Sequence, residues 1–181
     1  MTLGILGYGR LGCMVADYGK AFRMRVLACD IRPVDMAPAV ERVGFDQLLA
    51  ESDVLSIHIH LTEENRRLIN AAALAKMKRG AVLINTSRGA IVDEAALLQS
   101  LTSGHLAGAG LDVIEGEWRN DLANHTLIQY AAANQNLIIV PHIGGITLEA
   151  QRMVYAHTAE KLARYLEGLD SNMTKSKYLP S

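Results

Sequence analysis

The 181-residue sequence is most informative at first for what it lacks. It has two cysteines, Cys13 and Cys29, too few for a disulfide framework, so a reducing cytoplasm is the expected setting. It has no excess of either charge. Eighteen Lys and Arg against nineteen Asp and Glu leave −1 at pH 7, which gives no electrostatic reason to expect nucleic acid or an anionic membrane as a partner. The first residues lack the basic stretch and cleavage site of a signal peptide, and none is expected. The longest run without Lys, Arg, Asp or Glu, residues 122–148, is interrupted by Asn124, His125, Gln129, Asn134, Gln135, Asn136, Pro141 and His142, so it is no membrane span. There are four prolines, no Ser/Gly linker and no internal repeat. His58, His105, His125 and His157 show no ligand spacing, and no Cys/His/carboxylate cluster suggests a metal site.

What is present is a half-hydrophobic chain of single-domain size. The expected organisation is one domain over residues 1–170 and a polar tail over 171–181. Near-continuous apolar runs occur at "TLGIL", "RVLAC", "VLSIHI", "AVLIN", "GAGLDV" and "LIIV", as in strands covered on both faces. Helical stretches lie between most of them: "LGCMVADYGKAF", "DQLLAE", "NAAALAKM", "DEAALLQSL" and "LANHTLIQYAAAN", with a long final helix over about 148–168. This alternation predicts an α/β fold: a Rossmann-type, doubly wound parallel sheet in a three-layer α/β/α arrangement.

The first strand runs into Gly7, Gly9 and Gly12, a G-x-G-x-x-G spacing. Gly7 permits the tight turn, Gly9 lets backbone approach a pyrophosphate, and Gly12 lets the helix pack on the sheet. The helix N-terminus, through the backbone N–H groups of Arg10 and Leu11, then faces the phosphates. The second strand ends at Cys29 and Asp30, and 30 − 12 = 18 residues separate Gly12 from that carboxylate, near the expected offset. Asp30 can accept both ribose hydroxyls and repels a 2′-phosphate, which favours NAD over NADP; Arg32, two residues on, weakens that preference. The plainer alternative is a glycine turn that serves packing alone, with Asp30 as a strand cap.

The stretches "GILGYGRLG", "LSIHIHLTEENRRLIN", "MKRGAVLINTSRGAIVDEAALLQSL", "LAGAGLDVIEGE" and "PHIGGIT" together resemble the D-isomer-specific 2-hydroxyacid dehydrogenase family over nearly the whole chain. The resemblance implies a Rossmann-type NAD domain, hydride transfer between a 2-hydroxy acid and a 2-oxo acid, and pairing of cofactor domains into a homodimer. It also implies a second, substrate-reading domain built mostly from residues that precede the glycine turn. That domain is largely absent from this sequence, so a truncated chain that binds NAD and is inactive or weakly active alone is expected.

Arg88 follows "AVLIN", Glu117 follows "GAGLDV", and His142 follows "LIIV", so all three lie beyond the carboxyl ends of strands, where an open parallel sheet binds its ligands. The chemistry needs a base for the hydroxyl proton, a cation for the carboxylate and carbonyl, and a carboxylate to orient the base. His142, Arg88 and Glu117 supply one each, and the resemblance assigns the same roles. Taken singly, each reads as an ordinary loop or surface residue. The cofactor set is completed by Thr86 and Asp112 on the nicotinamide side, Thr62 near the adenosine, and Gly144 and Gly145 after His142; Arg88 and His142 border the cofactor too. Thr62 and Thr86 could equally be capping residues.

His60 and Trp118 stand where the family usually has proline, and the stretch before "PHIGG" is long enough to predict an extended helix. An apolar stretch, "AALLQSLTSGHLAGAGL", beside "EGEWRNDL" suggests the dimer surface. Two other readings compete: a non-catalytic NAD(H)-sensing interaction module on the same fold, and a dehydrogenase for another substrate such as phosphite or formate.

Overall fold

A computed structural model describes residues 1–168; the expected tail over 171–181 lies outside the described residues. The chain divides into two compact units, Met1–His142 and a second beginning at Ile143. In the first, seven strands form one parallel sheet: β1 Thr2–Leu6, β2 Arg25–Cys29, β3 Val40–Arg42, β4 Val54–Ile57, β5 Val82–Asn85, β6 Gly108–Leu111 and β7 Leu137–Ile139. Their order is β3-β2-β1-β4-β5-β6-β7. The order reverses between β1 and β4, the switch point where doubly wound sheets bind ligands.

Alternation along the strands sends side chains to two cores. Leu3 and Ile5 of β1, with Val26 and Ala28 of β2, pack on Ala16 of α1 (Arg10–Ala21). Leu6, Leu27, Leu55, Ile57, Leu83 and Leu111 face the other way. They meet Leu48 of α2 (Phe45–Glu51), Leu74 of α3 (Ala71–Lys76), Leu97 and Leu101 of α4 (Glu94–Thr102) and Leu127 of α5 (Thr126–Ala133). Helices thus cover both faces of the sheet.

Local chemistry starts the helices. Asn70 accepts the N–H of Ala73 at α3, and Asp93 accepts those of Ala95 and Ala96 at α4, caps worth about 1 kcal/mol each. Helix α1 differs: Gly9 caps it without a side-chain bond, its first turn has no acidic residue, and Arg10 opens it.

Several expectations need correcting. The three-residue β3 was not anticipated; it is an edge strand with Val40 buried and Glu41 and Arg42 exposed. The single helix expected over 122–134 is a 3-10 turn, Leu122–Asn124, followed by the eight-residue α5, parted by His125. No extended helix forms there. The apolar stretch read as a dimer surface is mostly core: Leu97, Leu101 and Leu106 are 0–2% exposed.

In the second unit, α6 runs Leu148–Leu166, capped by Thr147, whose hydroxyl accepts the N–H of Ala150. Among the described residues no helix is long and apolar enough to cross a membrane, and no group of three or more His, Cys, Asp and Glu is arranged to hold a metal.

Candidate active site

The glycine turn is built tightly on two of its three positions. Gly7 has φ +97°, a left-handed conformation that glycine adopts without strain. A Cβ on Gly12 would overlap the Gly7 carbonyl oxygen, so the helix start and the turn are in contact. Gly9 is different: a Cβ there would meet only the tip of Arg32, at 3.6 Å. The middle glycine therefore faces open space beside a helix end without a side-chain cap. That leaves room for an anion at the helix N-terminus.

Asp30 is fastened to the same turn. Its carboxylate accepts the N–H of Tyr8 at 2.9 Å, the N–H of Arg32 at 2.9 Å, and the Arg32 guanidinium through Nε at 3.1 Å and Nη2 at 3.0 Å. The guanidinium holds the carboxyl below the usual carboxylate range, against the opposing effect of partial burial. Asp30 is thus an ionised group at the end of β2, and Arg32 lies folded upon it. Arg10 and Leu11 open α1 with exposed side chains, their N–H groups in its first turn.

The ends of β5, β6 and β7 are laced together by backbone bonds. Asp112 N–H donates to the Asn85 carbonyl at 2.9 Å, and His142 N–H donates to the Asp112 carbonyl at 2.9 Å. Asp112 is buried. The turn after β5 is shaped by Asn85, which is 1% exposed. Its Oδ1 accepts the Ser87 N–H at 3.0 Å and its Nδ2 donates to the Arg88 carbonyl at 2.9 Å. The Ser87 hydroxyl donates to the carbonyl of Ile59. Thr86 and Arg88 are left exposed on this turn, and Arg88 Nη1 touches the Ser87 carbonyl at 2.7 Å.

Past β6, Gly116 turns the chain with φ +76°, and Glu117 Oε1 comes within 2.8 Å of His142 Nδ1. His142 itself has φ +53°, costly for a side-chain-bearing residue and frequent at functional positions. The Trp118 ring stands 6.2 Å from the imidazole, centre to centre. A cavity of about 670 Å³ opens beside these groups. Asp112, Glu117, Trp118 and His142 form its polar and aromatic side, and Ile128, Ile138 and Val140 are among its apolar walls.

Of the expected site residues, the structure joins Glu117 to His142 directly, Asp112 to His142 through backbone, and Asp30 to the glycine turn. Thr62 has a local role: its N–H donates to Asn65 Oδ1 at 2.8 Å, and its hydroxyl bonds Glu64. Asn65 also donates to the His60 carbonyl, so this turn closes with histidine at the usual proline position. Gly144 and Gly145 belong to the second unit, where a Cβ on Gly145 would meet nothing. Sequence reasoning missed Asn85 and Ser87; an amide and a hydroxyl flanking a strand end were the available signal.

Residues 1–144 match the family described as D-isomer specific 2-hydroxyacid dehydrogenase, NAD binding domain, and the chain belongs to that family. It is 41% identical to a hydroxypyruvate reductase of Thermotoga maritima over 165 residues, which covers 91% of this chain and 53% of the relative. It is 42% identical to a glyoxylate reductase of Aeropyrum pernix, covering 92% of this chain and 49% of the relative. Among solved structures, a D-lactate dehydrogenase from Aquifex aeolicus complexed with NAD and lactic acid aligns over 100% of this chain and 58% of its own, with TM-score 0.85 and 34% identity. D-2-hydroxyisocaproate dehydrogenase aligns over 94% of this chain and 54% of its own, with TM-score 0.87 and 32% identity. The chain spans about half the length of the relatives it matches. The cofactor of this domain is NAD.

Proposed function

We propose that this chain is the cofactor-binding half of an NAD-dependent dehydrogenase that interconverts a 2-hydroxy acid and a 2-oxo acid. The observation that carries the reading is the 2.8 Å contact between Glu117 and His142 at strand ends laced to the Arg88 turn. The glycine turn and the N-terminus of α1 hold the pyrophosphate, and Asp30 takes the adenosine ribose. Thr86 and Asp112 border the nicotinamide side, and Thr62 the adenosine side. When bound, NAD takes up or returns the hydride.

The protein's own residues handle the rest. With Nδ1 engaged by Glu117, His142 presents Nε2 to the substrate oxygen. In oxidation Nε2 takes the hydroxyl proton; in reduction it gives that proton to the carbonyl oxygen. Glu117 fixes the ring's orientation through that contact. Arg88 holds the substrate carboxylate and draws electron density toward the reacting oxygen.

A homodimer in a cytoplasmic setting belongs to the same reading. Helix α1 exposes Leu11, Met14, Tyr18 and Phe22 on one face, at spacings that form a continuous helical stripe. This stripe supports the dimer in place of the 95–111 stretch. Both cysteines are free thiols, as a reducing compartment keeps them.

The test joins the remaining half of a relative to this chain. His142→Ala should abolish turnover of 2-oxo acids while NADH still binds, because the proton moves only in the transition state. Turnover retained by His142→Ala contradicts the reading.

A further inference from the structure

We propose that the pair formed by Glu94 and His125 positions the candidate site by clamping the backbone of Glu115, which sets where Glu117 meets His142. The proposal rests on the reading of Glu117 and His142 as a functional pair.

Glu94 stands at the first position of α4, but the helix is already capped by Asp93. Its carboxylate turns instead to the loop after β6. Oε1 accepts the Glu115 N–H at 2.7 Å, and Oε2 lies 3.2 Å from His125 Nε2. That same Nε2 lies 3.2 Å from the Glu115 carbonyl oxygen. His125 Nδ1 accepts the Leu127 N–H at 3.3 Å, so the ring carries its proton on Nε2, facing Glu94 and Glu115. One side-chain pair therefore holds both backbone polar groups of a single residue. The side chains are only 18% and 12% exposed. Burial pushes the Glu94 carboxyl up, against the Glu115 N–H bond and His125, which both hold it down.

Glu115 is a junction in other ways. Its carboxylate faces Arg66 at 3.2 Å and Arg67 at 3.7 Å. A Cβ on Gly89 would overlap the Ile114 carbonyl carbon and the Glu115 nitrogen, so the residue after Arg88 packs directly on this loop. Arg119 and Asp121, paired with each other at 2.7 Å, line the same cavity of about 360 Å³ as Glu94 and His125. Beyond Glu115 a single residue, Gly116, turned at φ +76°, precedes Glu117. A carboxylate on so short a lever inherits its position from the anchor, and a misplacement of about 1 Å is costly at a reacting group.

The test follows the ring resonances of His142 by NMR in the 181-residue chain, assigned by their loss in His142→Gln. Glu117→Gln sets the scale by displacing those resonances. Glu94→Ala and His125→Asn should each displace them in the same direction by about half as much or more, with NADH affinity held within about twofold. Asparagine keeps an acceptor for the α5 N-terminus but cannot reach Glu115, which separates clamping from capping and from loss of fold. Glu94→Gln retains an acceptor for the Glu115 N–H and should return the resonances most of the way to the parent positions. Resonances that move in Glu117→Gln yet stay at the parent positions in His125→Asn and Glu94→Ala overturn the proposal. Resonances unmoved by Glu117→Gln overturn the underlying pairing, and the proposal with it.

Discussion

The backbone N–H of His142 donates to the carbonyl of Asp112 over 2.9 Å, and Asp112 in turn donates to Asn85. These bonds continue the parallel ladder one step past β5, β6 and β7, so the turns that bear Arg88, Glu117 and His142 leave the sheet from a common level. The site's geometry is thus inherited from the strand register and from the short-range bonds of Asn85 and Ser87.

The ribose carboxylate predicts cofactor choice. NADH should bind more tightly than NADPH, and Asp30→Asn should remove most of that difference, both measured by titration of NADH fluorescence. The Arg32 guanidinium keeps Asp30 ionised below its ordinary range, so the preference should persist as pH falls to about 4 and fade only below it. Equal affinities at pH 7 would count against this assignment and turn attention to Arg32.

The three glycines separate binding from folding. Gly9→Ala adds a methyl in open space at φ −88°, a conformation alanine adopts freely. It should weaken NADH binding and leave thermal stability near that of the parent. Gly12→Ala forces a Cβ onto the Gly7 carbonyl and should cost about 1–3 kcal/mol of stability. Thermal melts with and without NADH check both; the reverse pattern would mean that the turn serves packing alone.

Core and surface should part in the same way. Leu97→Ala empties a fully buried position and should destabilise the fold by about 2–5 kcal/mol. Met14→Asp, on the exposed stripe of α1, should shift sedimentation from the proposed dimer to monomer, with a melt that falls only by what association contributes. A parent chain that is monomeric at every concentration contradicts the dimer.

Asp53 gives a pH signature. Its carboxylate takes 2.9 Å from Lys78 and 2.6 Å from the Thr2 N–H. Chiefly through Lys78, its folded pKa lies below the unfolded value of about 3.8. A depressed carboxylate contributes stability above its unfolded pKa and loses it as pH falls through the folded one. Asp53→Asn should therefore lower the melting temperature at pH 7 by no more than about 4 °C, since the pair is exposed. The difference should shrink as pH falls below about 3.8.

Much of this was legible in the sequence because strong local signals coincide. The β1–glycine–α1 unit combines an apolar run, a φ that glycine meets without strain and a carboxylate at the right distance, and the sheet's other long strands are nearly continuous apolar runs. What was missed lacks such signals. Strand β3 is short and half charged because it lies at the sheet edge. His125 sits within an apolar stretch of helical spacing, and only its bond to the Leu127 N–H makes it a helix start. The apolar residues of 95–111 look the same in sequence whether they face a partner or a core, and the burial of Leu97, Leu101 and Leu106 in the main cluster settles them as core. The contact of Glu94 with Glu115 joins residues 21 apart, a relation that only tertiary structure creates.

The central claim, that Glu117 holds His142 in place to give and take a proton, is tested most directly by 2-oxo acid reduction in the chain joined to a relative's remaining half. Glu117→Gln removes the carboxylate that meets Nδ1 of His142 at 2.8 Å. It should lower turnover by about tenfold or more while NADH affinity stays within about twofold. Unchanged turnover in that variant contradicts the account.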